Sequence, residues 1–137
     1  MSLNDRDTLL GIYRRERLSF LQYVGQSTPY ASPADRPTLT RVHELARAES
    51  AAMDRFGDYL DRSRITLPHL GAFPTTFTNY NFIAVGKLLT PLRQDAARGV
   101  VDLERDAAAL PTGAAKLLVE ELAVAKRMHL NELEKLG

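Results

Sequence analysis

Residues 115–136 read AKLLVEELAVAKRMHLNELEKL, and their spacing decides the fold class. Ala115, Val119, Leu122, Lys126, His129, Leu133 and Leu136 succeed one another in steps of 4 and 3. That is the 3.6-residue period of a helix, not the two-residue alternation of a strand. An amphipathic helix buries such a stripe. Here a lysine and a histidine stand one turn apart in its middle, where leucines would be expected.

Working outward, Leu110-Pro111-Thr112-Gly113 is a tight break in front of this helix, which is expected over Ala114–Leu136. Before the break a helical segment runs from Asn79 or Tyr80 to Leu110, with Phe82, Val85, Leu89, Leu92, Ala96, Gly99 and Leu103 as its stripe. Pro91 lies inside that segment and is expected to kink or split it. Further upstream, Asn4–Ser27 carries Leu9, Ile12, Phe20 and Tyr23 on one face, and Thr28-Pro29 closes it. After a polar loop from Tyr30 to Arg36, Pro37 suits the first turn of a helix reaching Arg64, striped by Val42, Leu45, Ala52, Phe56 and Tyr59.

Between the second and third segments lies ITLPHLGAFPTTFT (65–78), which has two prolines, a glycine and no sustained period. Only Phe73–Phe77 has any strand character. Short, long, short connections describe four helices whose middle pair is joined by a crossover. The expectation is an all-α four-helix bundle forming a single domain over residues 1–137.

Composition narrows the function classes. The chain has 137 residues with 18 Lys+Arg against 17 Asp+Glu, no Cys and no Trp. Without cysteine there is no disulfide, thiolate nucleophile or iron–sulfur cluster. A formal net charge of +1 gives no electrostatic case for nucleic acid or anionic lipid, so neither is expected as a partner. No apolar run is long enough to span a membrane. The start, Met1-Ser-Leu-Asn-Asp-Arg-Asp, is charged where a secretory signal would be apolar, and a cytoplasmic location is expected. No phosphate-binding loop, dinucleotide fingerprint or serine-centred elbow is present.

The distinctive feature is the set of charges standing where the helical period asks for apolar residues. Glu16 is central in Leu9, Ile12, Glu16, Phe20, Tyr23, and Glu49 in Val42, Leu45, Glu49, Ala52, Phe56. Lys126 and His129 hold the matching place in the last helix. Arg93, or Gln94 if Pro91 shifts the phase, adjoins the stripe of the third. Isolated buried charges are costly, so charges at mid-height on four helices imply mutual partners or a metal. Glu16 to Glu49 and Arg93 to Lys126 are both 33 residues apart, as in two copies of one helical hairpin.

This pattern resembles the ferritin-like superfamily, including its rubrerythrin-like bundles, in helix order, long central crossover and paired offsets. That family places a lone Glu on each of two helices and a Glu-x-x-His motif on each of the other two, all facing inward to hold two metals. By that resemblance Glu16 matches the first lone Glu, and Glu49 the Glu of the first motif, whose His position holds Ala52. The second lone Glu falls at Arg93 or Gln94, and the second motif reads Lys126-x-x-His129. A di-iron or di-manganese centre needs about four carboxylates. The expectation is therefore a vestigial site of Glu16, Glu49, Arg93, Lys126 and His129, holding no cofactor, in which Glu16 and Glu49 pair with Arg93 and Lys126.

The function expected of such a chain is that of a non-enzymatic bundle acting by association with itself or another protein, and the resemblance implies a homodimer. One alternative is a metal-dependent oxidoreductase using iron, manganese or zinc with a reduced ligand set; Zn²⁺ on His129, Glu16 and Glu49 is its simplest form. Another is a binder of small apolar ligands beneath Phe73, Phe77, Tyr80 and Phe82, which otherwise pack the crossover onto the bundle. His43 and His69 read as structural or surface histidines. Arg14, Arg15 and Arg17 read as a solvated face, and Asp102, Glu104, Arg105 and Asp106 as an exposed helix end with local pairs.

Overall fold

A computed structural model describes residues 1–137, and the protein is all-helical, without strands. Five α-helices form: α1 (Leu3–Arg17), α2 (Phe20–Gly25), α3 (Arg36–Arg62), α4 (Val85–Ala109) and α5 (Ala114–Lys135). Short 3-10 turns at Pro33–Asp35 and Thr75–Tyr80 punctuate the two longer connections.

The first segment is broken where its period predicts one continuous helix. Leu18 closes α1, and Ser19 adopts an extended backbone (φ −65°, ψ 159°) before α2 begins. Ser19 Oγ accepts from Gln22 N at 3.2 Å, the bond of a helix N-cap. The amide of Phe20, left without a carbonyl partner by the break, donates to Asp95 Oδ2 at 3.0 Å. Burial explains why the break is tolerated: Phe20, Leu21 and Val24 all reach the core on the far side of it.

α1 and α2 run antiparallel to α3 in one register. Tyr13 meets Gly57, Arg17 bonds Ser50, Gln22 bonds the carbonyl of Ala46, and Gly25 abuts Ala46. A Cβ on Gly25 would stand 2.6 Å from that of Ala46, so glycine is what lets the helices approach there. The α4–α5 pair is likewise antiparallel: Lys116 bonds the carbonyl of Ala107 near the turn, and Arg93 reaches Leu133 and Leu136 at the other end. Pro91 does not split α4, which runs unbroken through it. The proline costs one hydrogen bond and a steric clash, about 3 kcal/mol, against which stand the buried Leu88, Leu89 and Leu92 around it.

α3 ends in a Schellman arrangement, with Arg64 N donating to Asp61 O and Ile65 N to Leu60 O, both at 2.9 Å. Arg64 takes the left-handed conformation (φ 60°) that glycine usually supplies there. Ile65 and Leu60 share a core, so the hydrophobic contact of the motif is also made. The segment after α3 begins on that core and ends with Phe77 and Ile83 on another. Phe73–Phe77 leads into a 3-10 turn, not a strand, and α4 starts at Val85, later than the sequence period suggests. Phe82, just before α4, has φ 64°. For a bulky side chain that conformation costs about 1–2 kcal/mol.

The apolar interior falls into two clusters. One joins Leu9, Ile12, Met53, Phe56, Leu60, Leu103 and Val119 with their neighbours near the α4–α5 turn. The other joins Phe20, Val24, Val42, Leu45, Leu88, Leu92 and Leu133 with theirs. Between them lies a layer of buried polar residues.

Candidate functional site: a buried lysine between two glutamates

Glu16, Ser19, Gln22, Glu49 and Lys126 are the buried polar or charged residues of the chain. Glu16 comes from the last full turn of α1, Glu49 from the middle of α3 and Lys126 from the middle of α5. Each is carried inward by the same period that buries the leucines above and below it. Lys126 Nζ donates to Glu16 Oε1 at 2.5 Å and to Glu49 Oε2 at 3.2 Å. The lysine is only 5% exposed, and the two glutamates 3% and 6%, so all three charges have left bulk water.

The remaining carboxylate oxygens are also occupied. Glu49 Oε1 accepts from Ser19 Oγ at 2.5 Å and from Gln22 Nε2 at 3.1 Å. Glu16 Oε2 accepts from Arg15 Nε at 3.1 Å, and Arg15 Nη1 continues to Asp106 Oδ2 at 2.9 Å. Arg15 therefore bridges α1 to α4 instead of standing on a solvated face, and Asp106 pairs across the fold as well as locally. Satisfying every oxygen matters because a buried carboxylate with a free lone pair bears the full desolvation penalty.

Burial opposes the charge on Lys126, but the adjacent Glu49 and Glu16 outweigh it and hold its pKa above the ordinary lysine range. Its folded value is raised, so the stability it contributes is fully present at neutral pH. It is lost only as pH rises beyond the ordinary lysine value toward the folded one.

Space for the lysine comes from α4. A Cβ on Gly99 would lie 2.3 Å from Lys126 Cε and 3.1 Å from Nζ. Gly99, read from the sequence as a member of the α4 stripe, is the slot through which the lysine stem passes.

His129, one turn beyond Lys126, lies beside the triad without bonding to it. Burial lowers its pKa, with Lys126 and Arg41 acting in the same direction and Glu49 opposing. Its Nδ1 is buried without a hydrogen-bond partner. The cavity that it shares with Glu16, Glu49, Lys126, Ala52 and Met53 measures about 20 Å³, room for a water-sized group and little more.

Arg93 does not join these residues. Its guanidinium donates from Nε to Leu133 O at 2.9 Å and from Nη2 to Leu136 O at 2.5 Å, neutralising the carbonyl end of α5. Gln94 is exposed. The pairing of the glutamates with Arg93 is thus corrected: Pro91 and the packing of α4 on α5 aim position 93 at the end of its neighbour, and Lys126 alone meets both carboxylates. His43 has its own buried Nε2 elsewhere on α3. His69 is exposed, and its carbonyl accepts from Arg14.

The donor set does not fit a two-metal centre. An ammonium stands within hydrogen-bonding distance of both carboxylates that would bridge or bind the ions. Ala52 offers no ligand, and Arg93 points away. No group of three or more His, Asp or Glu side chains comes together as a metal-ligand set. The arrangement joins α1, α3 and α5 through one ammonium group, which brings their three charges level.

Periodicity alone does not reveal Ser19, Gln22 and Arg15 as partners of the two glutamates, or Asp95 as the acceptor for the Phe20 amide. A signal for the first two is present in the chain: Ser19-Phe-Leu-Gln22 is a Ser-x-x-Gln capping pattern inside what the stripe reads as one helix. No helix of the protein is long and apolar enough to cross a membrane. Comparison with protein-family models, curated proteins and solved structures gave no match.

Proposed function

We propose that this chain is a ferritin-like four-helix bundle, with α1 and α2 together serving as its first helix and residues 63–84 as its crossover. In this reading the place of the metal centre has been taken over by an ion triad, and the protein works as a non-enzymatic association module. The observation that carries the reading is Lys126 buried between Glu16 and Glu49. A permanent cation satisfies the carboxylates that would otherwise hold metal ions. The antiparallel pairing of α1–α2 with α3 and of α4 with α5 supports the same reading, as does the long connection between the two pairs.

The outer face of α4 and α5 supports self-association. Val101, Leu117, Val124 and Met128 are each more than 60% exposed there. Exposed apolar side chains of this size are suited to a partner surface. A second copy of the chain is the partner proposed.

Elemental analysis of protein purified without chelator, paired with light-scattering mass, tests both halves. The expected result is sub-stoichiometric metal and a mass about twice the 15.3 kDa of one chain. Stoichiometric iron, manganese or zinc would overturn the metal-free reading. A monomer at tens of micromolar, insensitive to Val124→Glu, would overturn the self-association.

A further inference from the structure

At the end of the molecule remote from the α4–α5 turn is a recess of about 500 Å³, walled by the end of α2, the loop after it and the start of α4. Its ring-bearing walls are Tyr23, Tyr30, Tyr80 and Phe82, with Val24 and Leu88 as floor. The two sides are tied together where Val85 N donates to Tyr30 O at 2.9 Å. Tyr80 is braced edge-on against Phe20, with centroids 5.0 Å apart, and Tyr23 donates its hydroxyl to Asn81 Oδ1. That bond leaves the Asn81 amide NH₂ as a donor at the rim.

Phe82 is the anomaly. Its backbone is left-handed at φ 64°, and its ring is fully exposed, at 102% of the reference area. Glycine would make the same turn without strain. A phenylalanine there carries both a backbone penalty and a solvent-exposed ring, with no packing in the free protein to offset either. Strain retained at a pocket mouth is characteristic of binding sites, where the compensation arrives with the ligand.

We infer that this recess binds a neutral, planar aromatic molecule of one or two rings, closed over by the Phe82 ring. Neutrality comes from the walls, because no Asp, Glu, Lys, Arg or His lines the recess and a buried charge would go unpaired. Planarity comes from the four rings, which offer faces and edges for stacking. The volume is ordinary for a small-molecule pocket. A hydroxyl on the ligand would meet the Asn81 amide. The inference is independent of the fate of the metal site.

The test is a fluorescence titration of the full chain with 2-naphthol at neutral pH, where the probe is uncharged. The protein has no Trp, so probe emission stands clear of the protein's own. Saturable binding of one 2-naphthol per chain is expected, with the 2-naphthoate anion bound about tenfold more weakly or worse. Phe82→Gly should weaken 2-naphthol binding about tenfold through loss of the ring while raising the thermal midpoint, because glycine relieves the strain. A purely structural Phe82 would not produce that opposite pair of changes. Thr28→Met, at an exposed wall position, should fill the recess and abolish binding without touching the core. Absence of saturable binding, equal affinity for the anion, or affinity unchanged by both substitutions would overturn the inference.

Discussion

At the scale of single residues, Lys126 carries the largest consequence. It is the one cation that meets both buried carboxylates, so Lys126→Met leaves Glu49 with no cation and Glu16 with Arg15 alone. A loss of about 3–5 kcal/mol is expected, read from chemical denaturation at pH 7. A loss below about 1 kcal/mol, the size of an exposed pair, would show that the charges are hydrated. His129 gives a prediction of opposite pH sense to that of the lysine. Its folded pKa is depressed, so the unfolded chain takes up the proton first as pH falls. Stability from this residue is full above the unfolded value of about 6.5 and is lost between there and the lower folded value. The denaturation midpoint should drop from pH 7.5 to 6.0 in the natural chain. In His129→Gln the drop should be smaller; an identical drop would mean that other groups carry the pH dependence.

At the scale of elements, the junction between α1 and α2 is the part least expected and most interlocked. Ser19 caps α2 with the oxygen that also donates its proton to Glu49, so one hydroxyl serves both backbone and triad. Ser19→Ala should cost about 2 kcal/mol, from the lost cap and a carboxylate oxygen with one fewer donor. Restoring a hydroxyl with Ser19→Thr should recover most of it, as read by thermal melts; equal melts for all three would remove Ser19 from the layer. The period of the sequence makes the long helices legible, together with the inward placement of Glu16, Glu49 and Lys126, because a 3.6-residue stripe assigns a face directly. It cannot show the break at Leu18–Ser19, since the apolar stripe continues through it in phase and only the capping pattern marks it. Arg93 is illegible for another reason. A long side chain beside a stripe can reach inward or along the helix, and its destination depends on where the neighbouring helix ends. The late start of α4 reflects the same limit: Phe82 fits the helical stripe by spacing, while its backbone turns left-handed and its ring faces solvent.

At the scale of the whole molecule, a polar layer separates two apolar clusters, and the two sides are joined by helices that run through both. The layer specifies alignment more than it adds net stability, because desolvation roughly cancels attraction in buried ion pairs. Replacing the triad as a set, with Glu16→Met, Glu49→Gln and Lys126→Met, keeps an acceptor for Ser19 and Gln22 and removes all three of its charges, while Arg15 retains Asp106 as its partner. At 25 °C the triple variant should match the natural chain or exceed it by about 1–4 kcal/mol, in contrast to the single Lys126→Met. A triple variant as damaged as the single one would show that the charges themselves supply the stability. The comparison should also depend on heat. Hydration of ions carries an unfavourable entropy, so the penalty for drying these three groups shrinks as the solution warms. The gap between the natural chain and its uncharged counterpart should therefore narrow with rising temperature. Warming thus favours the salt-like seam over an oily one, whichever of the two is ahead at 25 °C.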